Sequence, residues 1–86
     1  MRVAIPSPLR SYTGGQKSVE ADGTTLDALL DDLDRRFPGV RFRVVDEQGR
    51  LRPHMRILVN RAVAGGLDDP IGPDDEVVLM QALSGG

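Results

Sequence analysis

Apolar and polar positions change rhythm several times along the chain, and each change predicts an element. Val3 and Ile5 alternate with their neighbours before Pro6 and Pro8, which predicts a short first strand over 3–5. Ser11-Tyr12-Thr13-Gly14-Gly15 predicts a turn. Gln16 to Ala21 then predicts a second strand, with Val19 and Ala21 on one face, so that the two strands form a hairpin. Asp22-Gly23 closes it. Thr24 is the expected N-cap of a helix over 25–37, with Asp27 three residues on as a short capping box. Leu26, Leu29, Leu30, Leu33 and Phe37 recur at helical spacing and make one apolar stripe. Asp27, Asp31, Asp32 and Asp34 are expected to face water, Arg35 and Arg36 suit the last turn, and Pro38-Gly39 stops the helix.

Beyond the helix the rhythm is less regular. Val40 to Pro53 is expected to be an irregular connection with a turn at Asp46-Glu47-Gln48-Gly49. Ile57-Leu58-Val59 predicts a third strand, turning at Asn60-Arg61 into a short fourth around 62–64. Gly65-Gly66 and Asp68-Asp69-Pro70 predict a loop, and Gly72-Pro73-Asp74-Asp75 a turn before a last strand over 76–81. Val77, Val78, Leu79 and Met80 are consecutive and apolar. Such a run suits a central strand covered on both faces, or covered on one and offered to a partner on the other. Strand, strand, helix, strand, short strand, strand is an α+β order with one helix on one face of a mixed sheet. With the first and last strands parallel and central, it is a β-grasp, or ubiquitin-like, roll of four to five strands and one main helix. Residues 1–81 are expected to form this domain, and 82–86 a flexible tail.

Composition narrows the possible functions. The 86 residues suit one small domain. There is no cysteine, so a thiol nucleophile, a thiolate metal site and a disulfide framework are all excluded. Net charge is −2 and aromatics are 3%, which argues against nucleic acid, whose binding needs a basic footprint or stacking platforms. No apolar run approaches a membrane span, and Met1 to Pro6 lacks the apolar core of a signal peptide, so a cytoplasmic location is expected. Lys17 is the one lysine. Thr13-Gly14-Gly15-Gln16-Lys17 lacks the spacing of a phosphate-binding loop and precedes a strand. His54 is the one histidine and has no partners in view for a triad or a metal site. No catalytic constellation appears, and no cofactor is expected on the chain itself.

The sequence ends on Ala82-Leu83-Ser84-Gly85-Gly86, directly after the last apolar run. Two glycines make a slim, unhindered segment. An α-carboxylate on Gly86 would be ionised at neutral pH, its reference pKa being about 3.5. It is a poor electrophile until conversion to an acyl-adenylate supplies a leaving group. Five extended residues reach roughly 16 Å at about 3.3 Å each, enough to enter an enzyme channel while the folded body stays outside.

Several segments together resemble the MoaD/ThiS family of sulfur-carrier proteins: Phe37-Pro38-Gly39, Ile57-Leu58-Val59-Asn60, Gly72-Pro73-Asp74-Asp75-Glu76-Val77 and the Gly85-Gly86 end, in this fold order. Ile5-Pro6, Leu9-Arg10 and Thr13-Gly14-Gly15-Gln16-Lys17-Ser18-Val19 look most like the actinobacterial CysO branch, which serves cysteine biosynthesis. The resemblance implies that an ATP-dependent, ubiquitin-activating-like adenylyltransferase activates Gly86. Sulfide or a persulfide donor then leaves a thiocarboxylate there. It further implies a sulfur-accepting synthase, in the CysO-like case a pyridoxal-phosphate cysteine synthase followed by a zinc peptidase, with ATP, zinc and pyridoxal phosphate belonging to those partners. Gly86 would carry the sulfur, Gly85 and Ser84 would enter the channel, and Leu83, Met80 and Val78 would dock the partner. Two other readings remain open at this point: a ubiquitin-like modifier joined through Gly86 to protein lysines, and a plain interaction domain with an inert tail.

Overall fold

The computed structural model describes residues 1–82. Five strands, β1 (Arg2–Ala4), β2 (Ser18–Glu20), β3 (Met55–Val59), β4 (Ala62–Val63) and β5 (Val77–Gln81), form one mixed sheet in the order β2-β1-β5-β3-β4. β1 and β5 are parallel and lie side by side in its centre, and the other pairings are antiparallel. Helix α1 (Leu26–Arg36) and a one-turn helix α2 (Val40–Val44) complete the β-grasp arrangement. The α1 stripe Leu26, Leu29, Leu30 and Leu33 is buried against Val3, Val19, Met55, Ile57, Val77 and Leu79 of the sheet. Full burial of each such side chain contributes about 1.5–3 kcal/mol.

The start of α1 is one residue later than the apolar pattern suggests. The N-cap is Thr25, not Thr24: its backbone is extended and its side chain accepts from the Ala28 amide at 3.1 Å. The first two helical amides are satisfied from far along the chain, Leu26 N by Asp69 O at 3.1 Å and Asp27 N by Leu67 O at 2.8 Å. A helix start held by a loop some forty residues away fixes the cap in a way that local sequence cannot. Asp27 therefore takes no part in a capping box. It binds Arg41 at 2.7 Å. The other helix aspartates are also engaged rather than simply solvated. Asp31 pairs with Arg41, Asp32 with Arg35 and Arg36, and Asp34 accepts from the Gly39 and Arg41 amides.

Two segments expected to be irregular or turn-like are helical. Ser7–Thr13 is a 3₁₀ helix between β1 and β2. It buries Leu9 and Thr13, whose hydroxyl is satisfied by the Arg10 and Gln16 carbonyls. The predicted turn survives only as Gly14-Gly15 at its end. In place of an irregular connection, Val40–Val44 forms α2, with Val40 and Val44 buried at i and i+4. Phe42 on its other side is 55% exposed, beneath the Arg52 guanidinium at 4.6 Å. The turn predicted at 46–49 is present. Asp46 caps it by accepting from the Gln48 and Arg50 amides.

Candidate functional site

The site is built on β5. Because side chains alternate along a strand, Val77 and Leu79 point into the core and are buried, while Val78 and Met80 face the other way. Of the two expectations for this apolar run, the structure selects the strand covered on one face and open on the other. The register then assembles a row that sequence reading did not anticipate. Ala4 of β1, Val78 of β5, Leu58 of β3 and Val63 of β4 lie side by side across the sheet. Met80 lies next to Arg56 of β3 in the following row. Met80 is 44% exposed and Val63 68%. The result is an apolar strip on the face away from α1, ending toward the C-terminal end of β5. Leu58 could have been found from parity alone, since it alternates with the core residue Ile57.

The ends of β5 are fixed by different means. At its start, Asn60 adopts φ 52° in the two-residue β3–β4 turn. Its amide donates to Glu76 O, its side-chain oxygen accepts from Glu76 N at 2.9 Å, and its side-chain nitrogen donates to Asp75 at 2.9 Å. Asp75 also accepts from the Gly72 amide at 2.8 Å, and that bond, reinforced by Asn60, holds its carboxyl below the usual aspartate value. Two motifs that were separate in the sequence, the strand ending at Asn60 and the turn 72–77, are thus one hydrogen-bonded unit. At the other end Gln81 pairs with Met55, and the Ala82 amide donates to His54 O at 2.7 Å. His54 therefore anchors, through its backbone, the residue that follows β5. His54, with Ser11, Tyr12, Arg43 and Gln81, lines a cavity of about 250 Å3 beside the end of β5. A larger, mostly apolar cavity of about 500 Å3 lies near β4, lined by Leu26, Leu51, Ile57, Val63 and Leu67 among others.

Val78 and Met80 thus share the open face of the sheet toward the end of β5. Leu83, Ser84, Gly85 and Gly86 lie outside the described residues. Among the described residues no group of three or more histidine, aspartate or glutamate side chains is placed to hold a metal ion, and no helix is long and apolar enough to cross a membrane.

A small β-grasp domain with an open apolar sheet face defines a ubiquitin-like class of protein. The chain belongs to the ThiS family, which it matches over residues 3–86. It is 40% identical to the sulfur carrier protein CysO of Mycobacterium tuberculosis and to that of Mycobacterium bovis, over 98% of this chain and 96% of the relative. Its structure is similar to that of CysO in the BexX/CysO complex of Amycolatopsis orientalis, with a TM-score of 0.90 and 36% identity over 99% of this chain and 98% of that one. It is also similar to SAMP1 of Haloferax volcanii, with a TM-score of 0.79 and 29% identity, covering 100% and 98%.

Proposed function

We propose that this chain is a sulfur carrier whose reactive group is the α-carboxylate of Gly86. The observation that carries this reading is the near-full-length identity to sulfur carrier proteins, with the family match continuing to residue 86. Residues 1–81 act as the body and 82–86 as the tail. A carboxylate oxygen of Gly86 attacks the α-phosphorus of ATP on an activating enzyme, and pyrophosphate leaves. The acyl-adenylate carbon is then attacked by a sulfide-level donor, and AMP leaves with the bonding electrons. A thiocarboxylate remains, and it is nucleophilic through sulfur. The chain is a co-substrate rather than a catalyst. It binds no cofactor of its own, and ATP belongs to the activating enzyme, which places the reaction in the cytoplasm. The acceptor enzyme is a synthase, the pyridoxal-phosphate cysteine synthase with its zinc peptidase being the case that the CysO likeness favours. Gly85 and Ser84 keep the tail narrow, and Val78, Met80 and Leu83 dock the partner on the open face.

The test is intact-protein mass after incubation with ATP, sulfide and the activating enzyme from the same source. The expected product carries sulfur in place of one oxygen at Gly86. An unchanged mass with an enzyme active on another carrier removes the reading. Met80→Asp should raise KM for the carrier about tenfold, equivalent to about 1.4 kcal/mol of lost docking, while leaving kcat unchanged. The likeness to SAMP1, a small archaeal modifier protein, supports conjugation to lysines as the second reading. Gly86-dependent high-mass adducts, without any thiocarboxylate, would favour it.

A further inference from the structure

Positive charge is unevenly placed in this acidic chain. Residues 41–56 hold five arginines, at 41, 43, 50, 52 and 56, against the two carboxylates of Asp46 and Glu47. The last three residues of this segment, 54–56, lie against the end of β5. Met55 pairs with Gln81, Arg56 with Met80, and the His54 carbonyl holds the Ala82 amide. Of these arginines, Arg41 is occupied by Asp27 and Asp31. Arg43, Arg52 and Arg56 form no ion pair within 4.0 Å among the described residues.

Arg43 is the best placed of them. It lines the cavity at the tail root together with Tyr12, His54, Ser11 and Gln81. Its Nε donates to the Tyr12 hydroxyl at 2.6 Å, and its guanidinium lies 5.7 Å from the centre of the Tyr12 ring. Among the described residues its two terminal nitrogens have no acceptor. A guanidinium held at Nε, with its terminal pair directed elsewhere, is preset for bidentate binding of a carboxylate. Arg56 stands beside Met80 in the open-face row of the sheet, so a cation is present at this end of β5 next to the apolar strip as well.

Resting on the sulfur-carrier reading, we propose that this notch receives an acidic side chain at the mouth of the activating enzyme's channel, with Arg43 as its primary contact. The short reach of the tail favours the contact. The tail beyond Gln81 reaches only about 16 Å, so an enzyme that holds the Gly86 carboxylate must bring the rim of its channel against the residues around Gln81 and Ala82. That rim meets arginines with no ion pair among the described residues, and carboxylates are the side chains that pair with them. The apolar strip supplies contact area, and the notch supplies orientation and an electrostatically accelerated encounter.

The test is steady-state ATP–pyrophosphate exchange by the activating enzyme, with intact carrier variants as the varied substrate and a salt series for each. Arg43→Gln should raise KM for the carrier about tenfold at low salt with kcat unchanged, and Arg43→Glu should raise it further. The increase of wild-type KM with added salt should be flattened in both. Tyr12→Phe frees Nε but keeps the charge, so it should raise KM less and preserve the salt dependence. Arg61→Asn removes a cation from the turn at the far end of β5 and should change neither quantity. Melting curves confirm that each variant is folded. Wild-type KM and salt dependence in Arg43→Gln, or an equal loss in Arg61→Asn, would overturn the notch while wild-type turnover left the carrier reading intact. Absence of exchange and of thiocarboxylate with the wild-type chain would instead count against the carrier reading itself.

Discussion

At Gly23 the linker into α1 runs so close to the helix that a Cβ would lie 2.5 Å from Leu29 N and 2.8 Å from Leu29 Cα. Both neighbours are backbone atoms of the buried helix face, so neither can swing aside. Gly49 presents the opposite case. A Cβ there would meet nothing within 4 Å, but φ is +79°. The two glycines are needed for different reasons, close approach at Gly23 and handedness at Gly49. Gly23→Ala should therefore cost about 3 kcal/mol or more as an overpacking substitution, and Gly49→Ala about 1 kcal/mol as strain in the left-handed region. Urea denaturation of the two variants checks the order; equal losses would show that the linker at Gly23 can move away. Both residues read alike in the sequence, as turn glycines, because the atoms that crowd Gly23 belong to the next element.

Among the elements, α1 shows most clearly what local pattern can and cannot specify. Its buried stripe was legible because Leu26, Leu29, Leu30 and Leu33 repeat at 3.6-residue spacing, and its stop was legible at Pro38-Gly39. Its first residue was not, because two adjacent threonines compete for the cap and the loop at 67–69 decides between them. The assignment gives a direct comparison. Thr25→Ala should destabilise by about 1 kcal/mol, the usual loss for an N-cap hydroxyl. Thr24→Ala should fall within about 0.5 kcal/mol of wild type, as for an ordinary surface change, since the role of Thr24 here is a backbone carbonyl that accepts from Ile71 N. Thermal midpoints of the two variants distinguish them, and reversed effects would return the cap to Thr24. The same limit explains α2. Its Val40 and Val44 were visible as apolar residues, but one turn is too short for its periodicity to stand out, and its arginines acquire meaning only from partners in α1 and the 3₁₀ helix.

For the molecule as a whole, the central pair β1 and β5 was legible, because short apolar runs separated by turns leave few ways to close a sheet around one helix. The breadth of the open face was not. Ala4, Val78, Leu58 and Val63 come from four strands, and only register makes them neighbours. Several loops around the sheet are held by aspartates. Asp32 accepts from the Asp22 amide, Asp46 from the Arg50 and Gln48 amides, and Asp75 from the Gly72 amide with help from Asn60; in each the backbone bond is the leading cause of a carboxyl held below its usual value. A lowered folded-state pKa means that folding favours the ionised form. Above the unfolded-state value of about 3.9 these carboxyls are ionised in both states and their stabilisation is fully present. As pH falls below that value, the unfolded chain takes up protons that the folded chain resists, and the stabilisation is lost progressively through the folded-state values. Urea midpoints should therefore be nearly level from about pH 7 to about pH 5 with respect to these groups and decline toward about pH 3. Asp46→Asn retains an oxygen to accept from the turn amides but cannot titrate, so its midpoint should start lower at neutral pH and decline less on acidification. An acid limb as steep in Asp46→Asn as in wild type would show that the 46–50 turn does not contribute to the acid sensitivity of the fold.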